Sequence, residues 1–388
     1  MKKKAVTFLL AVMGCSMLAF GCGKEKEEEK TPPIVEAEVT TPEDDTKADE
    51  DTKADQEAEK KKKKVNKHQG EAKSLLTGEW VDKELASLRP VSCMIGNTQS
   101  ALPQYGIGSA DMIYEAPVEG GLTRLMGIFG DYKNLEKLGS VRSSRLYYAY
   151  DSMAYDAIYL HYGQASYAEG FLTSGQIDDL NGLDYKIDQA VIYRDNSLKA
   201  PHNAYATGQG LVAGIELKQY RTTYEKDFEG AYQFAKDGKK VKLNGSDSLD
   251  AGIVRPGYQS NNPYFEYNPQ DGLYYRYQYG SSQIDGNDGK QLSVKNILLQ
   301  CASVHVLDDK GYLEVGTTGE GSGWYVTNGK AQPVTWKRAD NFSPVHYYDG
   351  AGEEITLNQG KTWICVVDAS HPDQVQFYKD AEAYGTEK

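Results

Sequence analysis

Charged residues and small residues concentrate in two short stretches. Glu115 and Glu119 lead into Gly120-Gly121-Leu122-Thr123-Arg124, and Gly139-Ser140-Val141-Arg142-Ser143-Ser144-Arg145 leads into an aromatic run compatible with a helix. With Ser140 as the cap of that helix, Arg142 and Arg145 stand three apart on one face of its first turn, beside free backbone N–H groups and the positive end of the dipole. Two arginines so placed make an anion site. A cation is disfavoured there by roughly 0.3–1 kcal/mol, so something negative must balance each one. Glu115 or Glu119 can do this as an internal salt bridge, and a ligand phosphate or carboxylate can do it from outside.

Three further segments have the same character. Ala157-Ile-Tyr-Leu-His161-Tyr-Gly163 puts a histidine at the end of a strand before a glycine turn, Tyr193-Arg194-Asp195 ends another strand, and Ala200-Pro201-His202-Asn203 sits on a loop before a helix. Strand ends and the loops that follow them are where sites gather in mixed α and β folds. Arg124, Arg142, Arg145, Arg194, His202 and Asn203 are therefore the candidate ligand-binding residues. Glu119, His161 and His202 are the candidates for acid or base work, since a histidine with an ordinary pKa near 6.5 titrates in the useful range. For each histidine the plain alternative is a satisfied structural side chain.

Established enzyme signatures are missing. Gly360-Lys361-Thr362 resembles the end of a phosphate loop, but Ile355 stands where the first glycine is required, and a strand-like run follows. The glycine-rich stretch Gly316 to Gly323 has neither the helix nor the downstream acid of a dinucleotide site and reads as a flexible hairpin loop that can act as a lip over a ligand. There is no HExxH, no GxSxG and no serine with a lysine three residues on. No cysteine or histidine spacing suits a structural zinc, and no cofactor is implied. Whether the chain is an enzyme stays open at this stage: the alternative to a binding protein is a cell-envelope hydrolase or transferase in which Arg142 and Arg145 hold a phosphate or carboxylate, Glu119 or His161 acts as general base and His202 as acid.

The elements that position these residues divide the chain. Met1 to Lys4 and the apolar stretch Ala5 to Phe20 form a signal peptide, with Leu18-Ala19-Phe20-Gly21 as the small-residue box before Cys22. Cys22 is the expected lipidated (palmitate-bearing) residue in preference to Cys15, where cutting would shorten the apolar stretch. The expected spans are 1–21 for the signal, 22–75 for a disordered charged tether, 80–236 for a mixed α/β domain and 249–384 for a β-rich domain. The fold class is thus α+β. The tether has almost nothing apolar to bury and includes a tandem of Asp-Thr-Lys-Ala-Asp, so burial cannot offset its chain entropy. Before about Lys236, strand-like runs (Val91 to Ile95, Asp111 to Ala116, Leu125 to Phe129, Ala157 to Leu160) alternate with helix-like ones (Ser144 to Tyr155, Thr207 to Lys218). After it come short β-prone runs joined by turns such as Pro269 to Gly272 and Thr327 to Gly329.

The formal net charge is −13 and becomes three units more negative once Lys2, Lys3 and Lys4 leave with the signal. Such a chain is repelled by phosphate backbones, so nucleic acid is excluded as a partner, and any anion needs a local basic site. Of the five cysteines, Cys93, Cys301 and Cys365 fall in the folded part. Cys301 and Cys365 sit in strand-like runs that could be neighbours; two buried thiols is the plainer reading, and a disulfide stays open.

Read in order, these segments resemble the YerB family of bacterial envelope lipoproteins, known as domain of unknown function 3048. The matching residues are Arg89-Pro90, Asn97, Ala110-Asp111, Tyr114-Glu115, Glu119-Gly120-Gly121, Thr123-Arg124, Val141-Arg142-Ser143, Arg145, His161, Tyr193-Arg194 and Pro201-His202-Asn203. In the second half they are Gly319, Gly321, Thr335-Trp336-Lys337, Leu357-Asn358 and Gly360-Lys361-Thr362-Trp363. Two positions depart from the family pattern: Ser140 stands where a proline is usual, and Gly96 where an acid is usual. The resemblance implies a two-domain protein anchored through an N-terminal lipid on the extracytoplasmic face of the bacterial cell membrane. Its expected partner is an anionic wall polymer or an envelope protein. It supplies no activity.

Overall fold

The computed structural model describes residues 67–386. The signal, Cys15, Cys22 and most of the tether lie outside the described residues. Among the described residues no helix is long and apolar enough to cross a membrane.

Four of the predicted strand runs become β1 (Val91–Gly96), β2 (Met112–Pro117), β3 (Thr123–Phe129) and β4 (Ile158–His161), followed by β5 (Asp179–Asn181). Two short helices, α1 (Leu146–Met153) and α2 (Ser166–Leu172), flank β4 in sequence. In the second half the main strands are β6 (Asn296–Val306), β7 (Leu313–Gly316), β8 (Gly319–Thr327), β9 (Lys330–Arg338) and β10 (Thr362–Asp368). The helix predicted from Thr207 spans Gly208–Lys218, with the Thr207 hydroxyl accepting from the Gly210 N–H at 3.0 Å. Strands dominate after Lys236, and the fold is α+β.

The two halves meet in one twelve-stranded sheet whose central order is β9, β8, β6, β10, β2, β3, β1, β4, β5. The joint is the parallel pair β10 and β2, with Thr362 opposite Met112 and Cys365 opposite Glu115. Strands at this position are covered on both faces, and β1, β3 and most of β10 are buried along their length, as their nearly unbroken apolar runs require. Alternate residues feed two cores. Cys93, Ile95, Leu299, Trp363 and Cys365 point to one, and Met94, Tyr114, Leu298, Trp336 and Ile364 to the other.

A second, six-stranded sheet closes over the first of these cores. Its strand Leu273–Gln278 has alternating burial that turns Tyr274, Arg276 and Gln278 inward. Arg276 is thereby delivered to Glu115 on β2: Nη2 donates to Oε2 at 2.5 Å, and both side chains are fully buried. The Arg276 guanidinium also lies over the rings of Phe265 (4.5 Å) and Trp363 (4.7 Å). The other Glu115 oxygen accepts from Asn97, Asn261 and the Thr123 hydroxyl. A second buried pair joins the halves on the other face, Arg338 Nη1 to Asp151 Oδ1 at 2.7 Å.

Several expectations need correction. Folded structure begins before the expected Trp80, because Glu71–Lys73 pairs with Trp80–Asp82 and Leu76 is buried, so residues 71–75 do not belong to the tether. The helix expected over Ser144 to Tyr155 is shorter, and Arg145 occupies its N-cap position in extended conformation. Ser140 does not cap it, and Arg142 is not helical. The backbone from Ser140 to Ser144 is committed sideways instead: Gly96 N–H donates to the Ser140 carbonyl, Arg142 N–H to Met94, Val141 N–H to Ala204, and Tyr162 N–H to Arg142. Each of these groups already has a partner, so none is free to start a helix.

The glycine-rich stretch is also not a flexible loop. Only Thr317 and Thr318 lie between β7 and β8, and the later glycines are paired along β8. A Cβ at Gly321 would fall 2.6 Å from Trp336 Nε1, and one at Gly323 would fall 2.2 Å from the Leu299 carbonyl oxygen. Close packing, not mobility, requires glycine there. Cys93, Cys301 and Cys365 are free and buried. β6 and β10 are indeed neighbours, but their register sets Cys301 against Val367 and Cys365 against Leu299.

Removing one partner of a buried ion pair leaves the other charge uncompensated. Glu115→Gln is therefore expected to lower unfolding free energy by about 3–5 kcal/mol, read from the guanidinium midpoint of the purified protein. A loss below about 1 kcal/mol, the size of an ordinary hydrogen bond, would show that the pair does not hold the halves together.

Candidate anion-binding site

Arg124 sits at the start of β3, opposite Gly96 on β1 and Ala116 on β2. Its backbone carbonyl accepts from the Tyr148 hydroxyl of α1, which ties the strand to the helix that Arg145 precedes. The Arg124 side chain is 8% exposed, yet its guanidinium makes one hydrogen bond, from Nη1 to the Ser143 carbonyl at 2.8 Å, and no ion pair. Burial, together with the charges of Arg145 and Arg142, lowers its pKa to about 10. Arg142 is similarly without a carboxylate. Its Nη1 donates to His202 Nδ1 at 2.9 Å and to the Pro201 carbonyl at 3.4 Å, and burial followed by repulsion from Arg145 pulls its pKa down.

Arg145 is the balanced member of the three. Its Nε and Nη2 hold Glu119 in a two-pronged ion pair at 2.6 and 2.5 Å. Burial would raise the Glu119 pKa, but the hydrogen bond and charge of Arg145 outweigh it and hold the carboxyl below its usual range. Burial pulls Arg145 down and Glu119 more than restores it. Of the two partners the sequence allowed, Glu119 takes the role, and Glu115 is spent on Arg276 in the other half. Three guanidiniums thus share one carboxylate.

A rim of polar side chains adjoins this cluster. His202 Nε2 contacts the Ser100 hydroxyl at 3.0 Å. Burial, and then the neighbouring Arg142 charge, hold the His202 pKa below its ordinary value, so the ring is neutral near pH 7, with Nδ1 accepting from Arg142 and Nε2 donating to Ser100. Arg194 donates to the Asn203 side-chain carbonyl at 3.0 Å and lies over the Tyr162 ring at 4.5 Å. The loop from Asp195 to Asn203 and the segment from Arg142 to Tyr162 hold Arg142, Arg194, His202 and Asn203 on one rim.

Ser140, read from sequence as a helix cap, is a buried side chain whose hydroxyl has no hydrogen-bond partner. A Cβ at Gly96 would stand 3.1 Å from that hydroxyl and 3.3 Å from Arg142 Cγ. Gly96, the Ser140 hydroxyl and Arg142 are therefore closely packed neighbours, with Ala101 Cβ also 3.1 Å from that position. Nothing in the local sequence marks Ser100, because it meets His202 across 102 positions of chain.

His161 stands apart. It is fully buried, with Nδ1 at 2.8 Å from the Gly163 carbonyl and Nε2 at 3.0 Å from Asp179 Oδ2. Both ring nitrogens are occupied, and it shares no hydrogen-bond partner with His202. The arrangement in which His161 or Glu119 takes a proton while His202 gives one is not assembled: Glu119 is locked to Arg145, and His161 is sealed under the sheet edge. Among the described residues no group of three His, Cys, Asp or Glu side chains is placed to hold a metal ion.

The α+β fold and the motifs it carries define the class of this protein. Residues 76–221 match the N-terminal domain, and residues 254–364 the C-terminal domain, of the protein family of unknown function DUF3048. The chain belongs to this family. It is 30% identical over 303 residues to the Bacillus subtilis (strain 168) protein named "Putative lipoprotein YerB", covering 76% of this chain and 86% of that one. The crystal structure of YerB protein from Bacillus subtilis superposes with a TM-score of 0.69 at 28% identity, covering 79% of this chain and all of that one.

Glu119→Gln would leave Arg145 as a third unmatched cation beside Arg124 and Arg142. The expected result is a loss of about 1–3 kcal/mol in unfolding free energy, partly recovered by adding sodium phosphate but not by the same ionic strength of sodium chloride. Equal recovery in both salts would mean that the cluster senses only screening.

Proposed function

We propose that this chain is an extracytoplasmic lipoprotein, anchored to the bacterial cell membrane through Cys22, that binds an anionic component of the cell envelope at the Arg124 and Arg142 cluster. The observation that carries the reading is the charge imbalance: three clustered guanidiniums, those of Arg124 and Arg145 on residues only 8% exposed, face a single carboxylate in a chain whose net charge is −13. Burying an unmatched cation is costly unless a counter-charge arrives. The unpartnered Ser140 hydroxyl adds a donor close to Arg142. Arg194, His202 and Asn203 extend the polar rim along which a polymer can lie.

The kinship with a lipoprotein supports the anchor, and the cysteine behind a small-residue box names the residue. Cys22→Ser should abolish incorporation of labelled palmitate and move the chain out of the membrane fraction, whereas Cys15→Ser should leave both unchanged.

Calorimetric titration of the full-length protein in detergent with poly(glycerol phosphate) and with soluble wall fragments tests the ligand. Arg124→Ala and Arg142→Ala are each expected to weaken binding at least tenfold, and affinity should fall as salt rises. A double variant that binds as well as the parent would overturn the assignment. Failure of every anion to bind the parent would leave a protein partner as the occupant of this face.

A further inference from the structure

Arg145 also lines a cavity of about 390 Å³ whose wall includes neither Arg124 nor Arg142. Its size falls within the roughly 300–1,000 Å³ typical of small-molecule sites. Both halves of the chain build it. Tyr147 and Tyr150 come from α1, Tyr167 from α2, Tyr312 and Leu313 from the start of β7, and Asn341 from the turn after β9. The short turn of Thr317 and Thr318, all that remains of the expected glycine-rich lip, forms one edge.

We infer that this cavity is a binding site for an uncharged sugar ring of a glycan. Tyr167 is 46% exposed and meets Tyr312 with centroids 5.8 Å apart and planes inclined at 73°, so the two rings form an open corner. Behind it Tyr150 packs edge-on against Phe171 at 4.9 Å and Phe342 at 6.2 Å, and Phe342 is itself 46% exposed. A pyranose presents C–H groups on its faces and hydroxyls around its edge. Aromatic faces suit the first, and the second needs donors and acceptors in one plane.

The polar groups at the wall supply them: Arg145, Glu314, Thr318 and Asn341, with Thr318 donating to Asn341. The corner is also fixed in advance. The Tyr167 hydroxyl donates to Asp308 at 3.3 Å, and Asp308 accepts from the Tyr312 N–H at 3.2 Å, so little ordering remains for a ligand to impose.

Charge decides against the other ligand classes. Arg145 is the one cation lining the cavity and is already matched by Glu119, while Glu314 is the one lining acid. An anion finds no free positive charge here, unlike at Arg124. A purely apolar ligand would strand the polar edge groups without partners.

The test uses the full-length protein and three neutral probes: the β-1,4-linked trisaccharide of N-acetylglucosamine, cellotriose and maltotriose, followed by calorimetry and tyrosine fluorescence. Saturable binding of at least one is expected. Tyr167→Ala should weaken it at least tenfold and Tyr167→Phe less than threefold, since the phenyl ring keeps the stacking face. Tyr167 is exposed, and an unchanged melting temperature in Tyr167→Ala would show that folding is not the cause of the loss. Tyr167→Ala should leave poly(glycerol phosphate) binding intact, and Arg124→Ala should leave saccharide binding intact, so the two sites fail independently. No binding of any trisaccharide, or equal binding by Tyr167→Ala and the parent, would overturn the inference.

Discussion

The buried pair of Glu115 and Arg276 is the contact on which the rest of the molecule depends. Neither side chain has any solvent exposure, so each charge is tolerable only because the other is there. Arg276 reaches its partner from the second sheet because its strand alternates in burial, and it is held flat against Phe265 and Trp363. Around it, Asn97, Thr123 and Asn261 use up the other oxygen of Glu115, while Tyr258 donates its hydroxyl to the carbonyls of Glu115 and Val366. The parallel pairing of β10 with β2 is thus clamped at the point where the two halves join. A hydrophobic pair could hold this position as firmly, but it would not demand one register as strictly as an ion pair whose Nη2 and Nε each have a fixed acceptor.

Once Glu115 is committed to the second half, Glu119 is the one carboxylate paired within the Arg124, Arg142 and Arg145 cluster. The anion-site proposal rests on that shortage. Had Glu115 faced Arg124 or Arg142, the cluster would be an internally satisfied network and would offer nothing to a ligand. The same logic separates the arginine cluster from the cavity that Arg145 also lines. On one side the guanidiniums outnumber the acids and suit an anion. On the other, Arg145 is already paired, aromatic rings dominate, and an uncharged ring with a polar edge fits better. An envelope polymer that alternates sugars with anionic groups would find both kinds of surface on one body.

Much of the architecture was legible in the chain. Continuous apolar runs such as Val91 to Ile95 gave central strands, because a strand covered on both faces has no polar side. Thr207 gave a helix start through its hydroxyl, and Thr327-Asn-Gly329 and Pro269 to Gly272 gave hairpins through their turn chemistry. The spacing of Arg142 and Arg145 was legible too, and so was Glu119 as one of two possible internal partners, the one that Arg145 takes. What failed was local reasoning about the segment Gly139 to Arg145. Its composition suits a helix entry, but its backbone donors and acceptors are claimed by Met94, Ala204, Gly96 and Tyr162, none of which is a sequence neighbour.

The amino-acid sequence by itself determined the α+β class, the order of the elements, and the residue types available for an anion site, because each follows from short-range periodicity, turn chemistry and charge. Only the tertiary structure decided how those residues are spent. Glu115 and Arg276 lie 161 positions apart, and nothing near either one reveals the other. The sheet register that keeps Cys301 and Cys365 as separate thiols, and the burial that seals His161 while leaving Arg124 without a carboxylate, are likewise long-range outcomes. They arise from which strands pair and which charges desolvate together, and local patterns do not encode that.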